Sequence, residues 1–466
     1  MYGIVILFVY ALIMIGATVF FTKRTTVAES FHVADRSMGT VQSAMSIAAT
    51  WIWAPALFVS AEKAFSNGVT GLFWFLAPNV ACLLLFIPFA QKIRDQMPDG
   101  ITLSGFMGQR YRAEKVKGIY LFQLGGLSVL STGVQLLAGG KILSTITGLP
   151  FFLMTVLLAA IAYSYSQFSG IRASVMTDAV QMVMILAACV ILVPWALSMD
   201  GGISEMLNGL SGASGEYGNL FSAKGAEVFF AFGLPTAIGL ISGPFGDQCF
   251  WQRAFSIRRD KIKKAFALGA VLFGIVPLSM GILGFIAAGS GFSPADQSIV
   301  NFELVSHLFP KWVVIPFLFM IISGLLSTVD SNLCAAASLT TDLRMTGNLS
   351  NAGKLRLSKA AMLALLLLGI LIANIPGLSV THLFLIYGTL RATTLLPTVM
   401  TLMKKRLTGT GVFVGVLLSL CVGLPVFAYG TLTGLSLYKT VGSLTTVLLS
   451  GVAALCVSRW EVRRNG

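Results

Sequence analysis

Thirteen apolar stretches of membrane-spanning length divide this chain, and they constrain its fold more than any other feature. We number them span 1 to span 13 and place them at residues 2–22, 38–60, 68–91, 118–146, 149–168, 173–198, 226–250, 265–289, 312–340, 358–375, 378–403, 409–430 and 438–457. Each is close to the ~20 apolar residues that a helix needs to cross a bilayer. Because 56% of the residues are hydrophobic and only 11% are charged, the sequence predicts an all-α polytopic membrane protein.

The basic residues lie in alternate connections between the spans. Of the 32 lysines and arginines, 26 follow odd-numbered spans. Since cytoplasmic loops carry the excess of lysine and arginine, we expect the N-terminus outside and the C-terminus in the cytoplasm. The net charge of +14 is therefore a topological signal, and no nucleic-acid partner is expected. The expected location is the plasma membrane, which is the inner membrane if the source is bacterial.

Span 2 is interrupted near its centre, in the segment ATWIWAP. Pro55 has no backbone N–H, so it removes the helical donor for the Trp51 carbonyl. The carbonyls of Ala48 and Trp51 can then face a cavity, because unwound backbone is tolerated at membrane depth only where protein or water satisfies it. The alternative is an ordinary proline kink.

Span 7 is interrupted as well, by glycines and prolines. They are Gly233, Pro235, Gly239, Gly243 and Pro244. Spans 2 and 7 are five apart, which is the layout of a transporter built from two inverted five-helix repeats. We predict one transport domain over residues 1–466, with an N-terminal helix and loop at 1–37, repeats at 38–198 and 225–403, and two C-terminal helices at 404–466.

Span 9 carries many small hydroxyl residues. Ser327 and Thr328 are adjacent and lie one turn after Gly324, while Ser338 lies further along the same helix. Two hydroxyls and a free carbonyl supply hard oxygen ligands that suit a monovalent cation. Alternatively, these hydroxyls bond to preceding carbonyls, and the small residues permit close helix packing.

Burying an ionisable residue within a membrane span costs free energy, so such residues mark candidate functional positions. Asp178 lies near the cytoplasmic end of span 6, where it is a candidate for a second ion site or an ion exit, or for pairing with Arg172. Arg391 in span 11 is a candidate gate, counter-ion or snorkelling residue. Lys141 lies close to the outer end of span 4, and we expect it to snorkel.

Four side chains near the two breaks are candidates for contact with a solute. They are Trp53, Gln135, Gln248 and Trp251. No fixed cationic partner for a solute carboxylate is apparent near either break, and Asp247 is expected to lie close to the cytoplasmic Arg253. Aromatic walls with amide and backbone partners favour a small neutral polar solute.

Several segments resemble the sodium:solute symporter family, which includes importers of proline, pantothenate, sialic acid, sugars and urea. They are FHVADRSMG before span 2, GLFWFLAP in span 3, TLSGFMGQRY after it, TDAVQMV in span 6 and SGLLSTVDSNLCAAASLTTDL in span 9. The segments ATWIWAPALF and FGDQCFWQRAF look most like the urea-transporting branch. The resemblance covers roughly residues 1 to 460 and implies a LeuT-like fold with one added N-terminal helix.

The resemblance also implies a sodium site. The family's main site maps onto the carbonyls of Ala48, Trp51 and Gly324 and the hydroxyls of Ser327 and Thr328. Sodium is then the coupling ion and the only metal, and no other cofactor is implied. The implied function is sodium-coupled secondary active import of a small organic solute by alternating access.

Two positions depart from the family pattern. Thr50 stands where some members have an aspartate, so a charged ligand is missing from the first break. Gly324 stands where members with a second sodium site have a hydroxyl, so a second ion beside Asp178 is not expected to have its full ligand set.

Urea or a similarly small neutral molecule is the favoured solute, with an amino acid such as proline or an organic acid as the alternative.

Functions other than symport fit the sequence less well. A passive channel needs rings of polar or charged residues along a pore, and a membrane sensor needs a soluble output module. An enzyme is not expected, because His32, His307 and His382 are isolated in different loops. The oligomeric state is left open.

Overall fold

The computed structural model describes residues 2–465, and the secondary structure of this region is helical. Twelve helices are long and apolar enough to cross a membrane. They are Gly3–Phe21, Val59–Gln96, Glu114–Thr147, Phe151–Ser169, Ile171–Ser198, Ala223–Ile241, Arg259–Gly289, Lys311–Asp342, Asn351–Ala373, Val380–Leu402, Gly409–Thr433 and Ser436–Arg464. The remaining predicted crossing, span 2, is divided into pieces too short to count as a continuous helix.

Span 2 consists of three helical pieces. The first is Thr40–Trp51, the second is Ala54–Leu57, and the third begins at Val59. This third piece continues into span 3 as the helix Val59–Gln96, but non-helical backbone at Asn67 and Gly68 separates the two spans. Gly68 has a φ of 55°, which a residue with a side chain rarely adopts.

Span 7 is broken once, and later than its first glycines and prolines suggest. The chain is helical over Ala223–Val228, forms a wider π-helical turn over Phe229–Gly233, and resumes as Leu234–Ile241. The wide turn accommodates the missing N–H of Pro235 without ending the helix. The break follows, with a short turn over Pro244–Gly246 before the inner helix Gln248–Ser256.

Short helices connect the spans. They are Ala28–Val33, Leu103–Tyr111, Gly202–Asn208 and Val300–Leu308. The strand-like residue Met38, two residues before the first helical piece of span 2, exchanges backbone hydrogen bonds with Ser256 and Arg258 at the end of the inner helix of span 7. The two broken spans are thus joined directly at one end.

Span 9 lies at the centre of the molecule. All residues from 321 to 335 are buried, including every hydroxyl and the acid within that range. Spans 1 and 13 instead expose large apolar side chains such as Phe8, Leu12 and Leu448, as expected for helices that face lipid. The candidate ion and solute residues therefore lie within protein and away from the hydrocarbon.

Candidate functional site

The first break positions backbone groups at the centre of the protein. The first helical piece of span 2 ends at Trp51. Ile52 and Trp53 are non-helical, and Pro55 lies in the first turn of the next helical piece. Gln135 of span 4 accepts a hydrogen bond from the Ala54 N–H at 2.7 Å. An orphan donor at the start of a helix needs such a partner, so Gln135 stabilises the interruption.

The adjacent hydroxyls of span 9 meet this break. Ser327 donates to the carbonyl of Ala49 at 2.8 Å and to that of Gly324 at 3.1 Å. Thr328 donates to the carbonyl of Thr50 at 3.1 Å and to that of Gly324 at 3.3 Å. The arrangement gathers five oxygens from two spans, and all are of the hard type that binds alkali cations.

This cluster differs from the predicted sodium ligands on the span 2 side. The prediction names the carbonyls of Ala48 and Trp51, whereas the hydroxyls contact those of Ala49 and Thr50. The Ala48 carbonyl accepts a helical hydrogen bond from Ile52 at 2.8 Å. Gly324, Ser327 and Thr328 do lie together, and the sodium assignment itself stays a prediction.

Gly324 is required by the close approach of the two spans. A Cβ atom at this position would lie 2.8 Å from a methyl group of Leu57 and 3.2 Å from the Ile52 carbonyl oxygen. A larger residue would force the Leu57 side chain to shift and would crowd the Ile52 carbonyl, so glycine permits the two spans to pack closely at the break.

A buried ion pair lies next to this cluster. Arg253, from the inner helix of span 7, pairs with Asp178 of span 6 at 3.0 Å, and the two side chains are 1% and 0% exposed. Arg253 also donates to Ser46, Ser331 and the Cys249 carbonyl at 3.0, 2.7 and 3.1 Å. These bonds connect spans 2, 6, 7 and 9.

Two charged residues considered in the sequence pair elsewhere. Arg172 does not pair with Asp178, because it donates to Asp35 of the first loop at 2.9 Å. Lys141 is 42% exposed and pairs with Asp296 of an outer loop. Its half-exposed position agrees with the expected snorkelling.

Asp330 is a second buried acid, and the sequence analysis missed it. Its carboxylate accepts hydrogen bonds from Ser174 at 2.8 Å and from Thr177 at 3.3 Å. Within residues 2–465, no basic group lies within 4 Å of it. An acid in the middle of a transmembrane helix was the available signal, since such residues are rare outside functional sites.

A second buried arginine lies between the two breaks. The guanidinium carbon of Arg391 is 5.0 Å from the ring centre of Trp51, 5.0 Å from that of Trp53 and 4.6 Å from that of Tyr387. We call these three rings the aromatic slot. Arg391 also donates to Asp247 at 2.8 Å, and both side chains are buried. The expectation that no cation lies beside a break is therefore wrong.

Two of the three rings of the aromatic slot come from the first break, and Tyr387 comes from span 11. The rings of Trp51 and Trp53 are stacked with their centres 5.2 Å apart and planes inclined by 17°. The backbone of Gly243 at the second break packs directly against the Trp51 ring, where a side chain would not fit. Arginine suits such a place because its guanidinium is planar and weakly hydrated and stacks on aromatic faces.

The four predicted solute residues fall into two pairs. Trp53 and Gln135 lie at the first break, as described. Gln248 bonds to Ile101, Leu103 and Ser338, and Trp251 donates to the Phe245 carbonyl at 2.8 Å while its ring packs on Phe86. The polar groups of Gln248 and Trp251 are therefore used in contacts within the protein.

The fold has counterparts among solved structures. Superposition on a Na⁺-coupled sialic acid symporter in a substrate-bound outward-open state gives a TM-score of 0.76, with 98% of each chain covered at 17% identity. Superposition on MhsT in complex with L-phenylalanine gives a TM-score of 0.54 at 14% identity. The predicted LeuT-like fold is confirmed; the boundaries between its repeats stay a prediction.

Curated relatives agree with this fold. The chain is 24% identical over 462 residues to the urea active transporter of Saccharomyces cerevisiae and 23% identical over 480 residues to the urea-proton symporter of Oryza sativa subsp. japonica. Each match covers 92% of this chain but less than two thirds of the relative, 62% and 66%. The model of the sodium:solute symporter family matches residues 31–419. Since this match includes most of the chain and both broken spans, the chain belongs to the sodium:solute symporter family.

Proposed function

We propose that this protein is a sodium-coupled symporter that imports a small neutral polar solute by alternating access. The observation that carries the proposal is the pair of span 9 hydroxyls facing the carbonyls of the first break. Membership of a sodium:solute symporter family supports sodium as the coupling ion. Broken helices at the centre of a transporter provide sites for ions and solutes together.

The sodium gradient supplies enough free energy for accumulation. One sodium ion moving through ~100 mV contributes about 2.3 kcal/mol. A tenfold concentration gradient adds about 1.4 kcal/mol, so the two together hold a neutral solute concentrated roughly several hundred-fold.

The favoured solute is urea or a molecule of similar size and polarity. The relatives cited above are named as urea transporters, and the aromatic slot provides flat apolar walls beside the first break. An amino acid or organic acid is disfavoured, because the charge of Arg391 is already paired with Asp247. The rice relative is named as a proton symporter, so the test must separate sodium from proton coupling.

Uptake into proteoliposomes tests the coupling ion. Labelled urea is supplied with an imposed sodium gradient, with an imposed pH gradient, or with neither, and initial rates are measured. Sodium, and not the pH gradient, is expected to drive accumulation. The same liposomes supplied with labelled proline, pantothenate or sialic acid test the alternative solutes.

Three variants locate the ion site. Ser327→Ala and Thr328→Ala each remove one hydroxyl from the oxygen cluster, so sodium activation should weaken at least about tenfold. Ser338→Ala is the matched control, since its hydroxyl lies on the same helix and contacts Gln248 instead of the first break. Wild-type sodium activation in both cluster variants would disprove the assignment.

The membrane orientation and the absence of chemistry are also part of the proposal. Single cysteines introduced at 100–115 and 255–262 should be labelled from the cytoplasm, and those at 205–220 from outside. The opposite pattern would reverse the topology.

We propose transport without catalysis, so the solute recovered from the liposomes should keep its original mass.

A further inference from the structure

We propose that the Asp247–Arg391 pair makes the aromatic slot selective for planar, neutral, carbonyl-bearing solutes and excludes carboxylates. The proposal rests on the proposed function in one respect, because it takes the slot as the place where the transported solute binds. It adds a chemical class and two specificity-determining residues.

The shape of the slot matches a flat group built around one trigonal carbon. The guanidinium of Arg391 is such a group, and its central carbon lies within 4.6–5.0 Å of all three ring centres. Amides and ureas have the same planar arrangement of heavy atoms around carbon. A solute of this class therefore stacks beside the guanidinium on the same aromatic faces.

The slot also offers hydrogen-bond donors that the protein does not use. Nε and Nη1 of Arg391 and Nε1 of Trp53 are buried and have no hydrogen-bond partner among residues 2–465. A buried donor without a partner costs free energy comparable to a lost hydrogen bond. A solute carbonyl oxygen is an acceptor that would satisfy these donors.

The charge of the site explains the exclusion of acids. One oxygen of Asp247 accepts from Arg391 at 2.8 Å, and the other accepts from the Cys249 backbone N–H at 2.9 Å. The guanidinium is thus neutralised before any solute binds. A carboxylate solute would place a second anion beside Asp247 in a medium of low dielectric, where like charges repel strongly.

Changing either partner should change the preferred charge of the solute. Asp247→Asn removes the anion and can keep the contact to Cys249, which leaves Arg391 as an unpaired cation. Arg391→Gln keeps a planar terminal group and leaves Asp247 as an unpaired anion. The first variant should favour an anionic solute, and the second a cationic one.

The test uses three small molecules of nearly the same shape: acetamide, acetate and acetamidinium. Binding to the purified protein in sodium-containing detergent solution is followed by the fluorescence of the slot tryptophans. Wild-type protein should bind acetamide at least tenfold more tightly than either ion. Asp247→Asn should prefer acetate, and Arg391→Gln should prefer acetamidinium.

Asp95→Asn is the control, because it neutralises the acid of an exposed ion pair that contacts neither break. It should keep the wild-type preference for acetamide. An unchanged preference in whichever slot variant folds, or the same switch in the control, would overturn the inference. Since binding is measured without transport, a reversed preference without sodium-driven uptake would reject the proposed function and leave the selectivity of the slot standing.

Discussion

Arg253 and Arg391 are the two most deeply buried arginines within residues 2–465, and their surroundings differ. All three guanidinium nitrogens of Arg253 have hydrogen-bond partners: Asp178, Ser46, Ser331 and the Cys249 carbonyl. Arg391 has one hydrogen-bonded nitrogen, and aromatic rings surround the rest of its guanidinium. The two residues therefore carry the same charge in two chemically different sites.

The difference separates a structural role from a binding role. All three guanidinium nitrogens of Arg253 are hydrogen-bonded, and these bonds connect spans 2, 6, 7 and 9, so the polar network holds the four spans together. Arg391 retains donors that only a further acceptor would satisfy. From this contrast, loss of the first pair should mainly affect stability, and loss of the second should mainly affect solute binding.

The largest effect is expected from neutralising the first pair, with Asp178→Asn and Arg253→Met combined. The free energy of unfolding should fall by about 3 kcal/mol, because hydrogen bonds to charged groups contribute about 1.5–3 kcal/mol each and relief of desolvation offsets part of the loss. Denaturant titration of the purified protein in detergent measures it. A decrease in unfolding free energy of less than about 1 kcal/mol would contradict a structural role.

The same double neutralisation at the second pair should act on function. With Asp247→Asn and Arg391→Met combined, binding of acetamide or urea should weaken at least tenfold, since the slot loses its carbonyl donors. The change in unfolding free energy should be smaller, about 1 kcal/mol. If stability fell as far as in the first double variant while binding persisted, the contrast between the pairs would be lost.

A smaller effect is expected when the positive charge is kept and only the shape of the side chain that carries it changes. Arg391→Lys can still pair with Asp247 but lacks the planar group that stacks on three rings. Solute affinity should fall about two- to fivefold, in line with about 0.5–1 kcal/mol for a weakened cation–π contact. Isothermal titration with acetamide measures it; an affinity equal to wild type would show that stacking is unimportant.

The smallest effect is expected at an ion pair on the surface. Arg259 binds both oxygens of Asp95 at 2.7 Å, but the side chains are 42% and 56% exposed. Asp95→Asn should change the free energy of unfolding by less than about 0.5 kcal/mol, because solvent screens such pairs. Uptake should not change, and a larger loss of either would mean that burial is not what distinguishes the two inner pairs.

Features that act over short distances along the chain were predictable. Hydropathy located the spans, and Pro55 marked the first interruption because a missing N–H acts on its own helix. Of the five residues named for span 7, Gly243 and Pro244 lie at the break, whereas Gly233, Pro235 and Gly239 lie in the helical part before it. The adjacency of Ser327 and Thr328 after Gly324 is also a property of one helix. The family motifs added the LeuT-like fold, which is confirmed, and a sodium site, which stays a prediction; the hydroxyls of Ser327 and Thr328 contact the carbonyls of Ala49 and Thr50.

The partners of the buried charges depended on the tertiary structure. Asp178 is 75 residues from Arg253, and Asp247 is 144 residues from Arg391. Consecutive residues of a helix point in directions about 100° apart. The sequence could therefore place Arg391 in span 11 without showing which neighbour it meets. Only the packing of the spans around the two breaks decides that one arginine is hydrogen-bonded at all three nitrogens, whereas the other lies among aromatic rings with two nitrogens lacking a partner within residues 2–465.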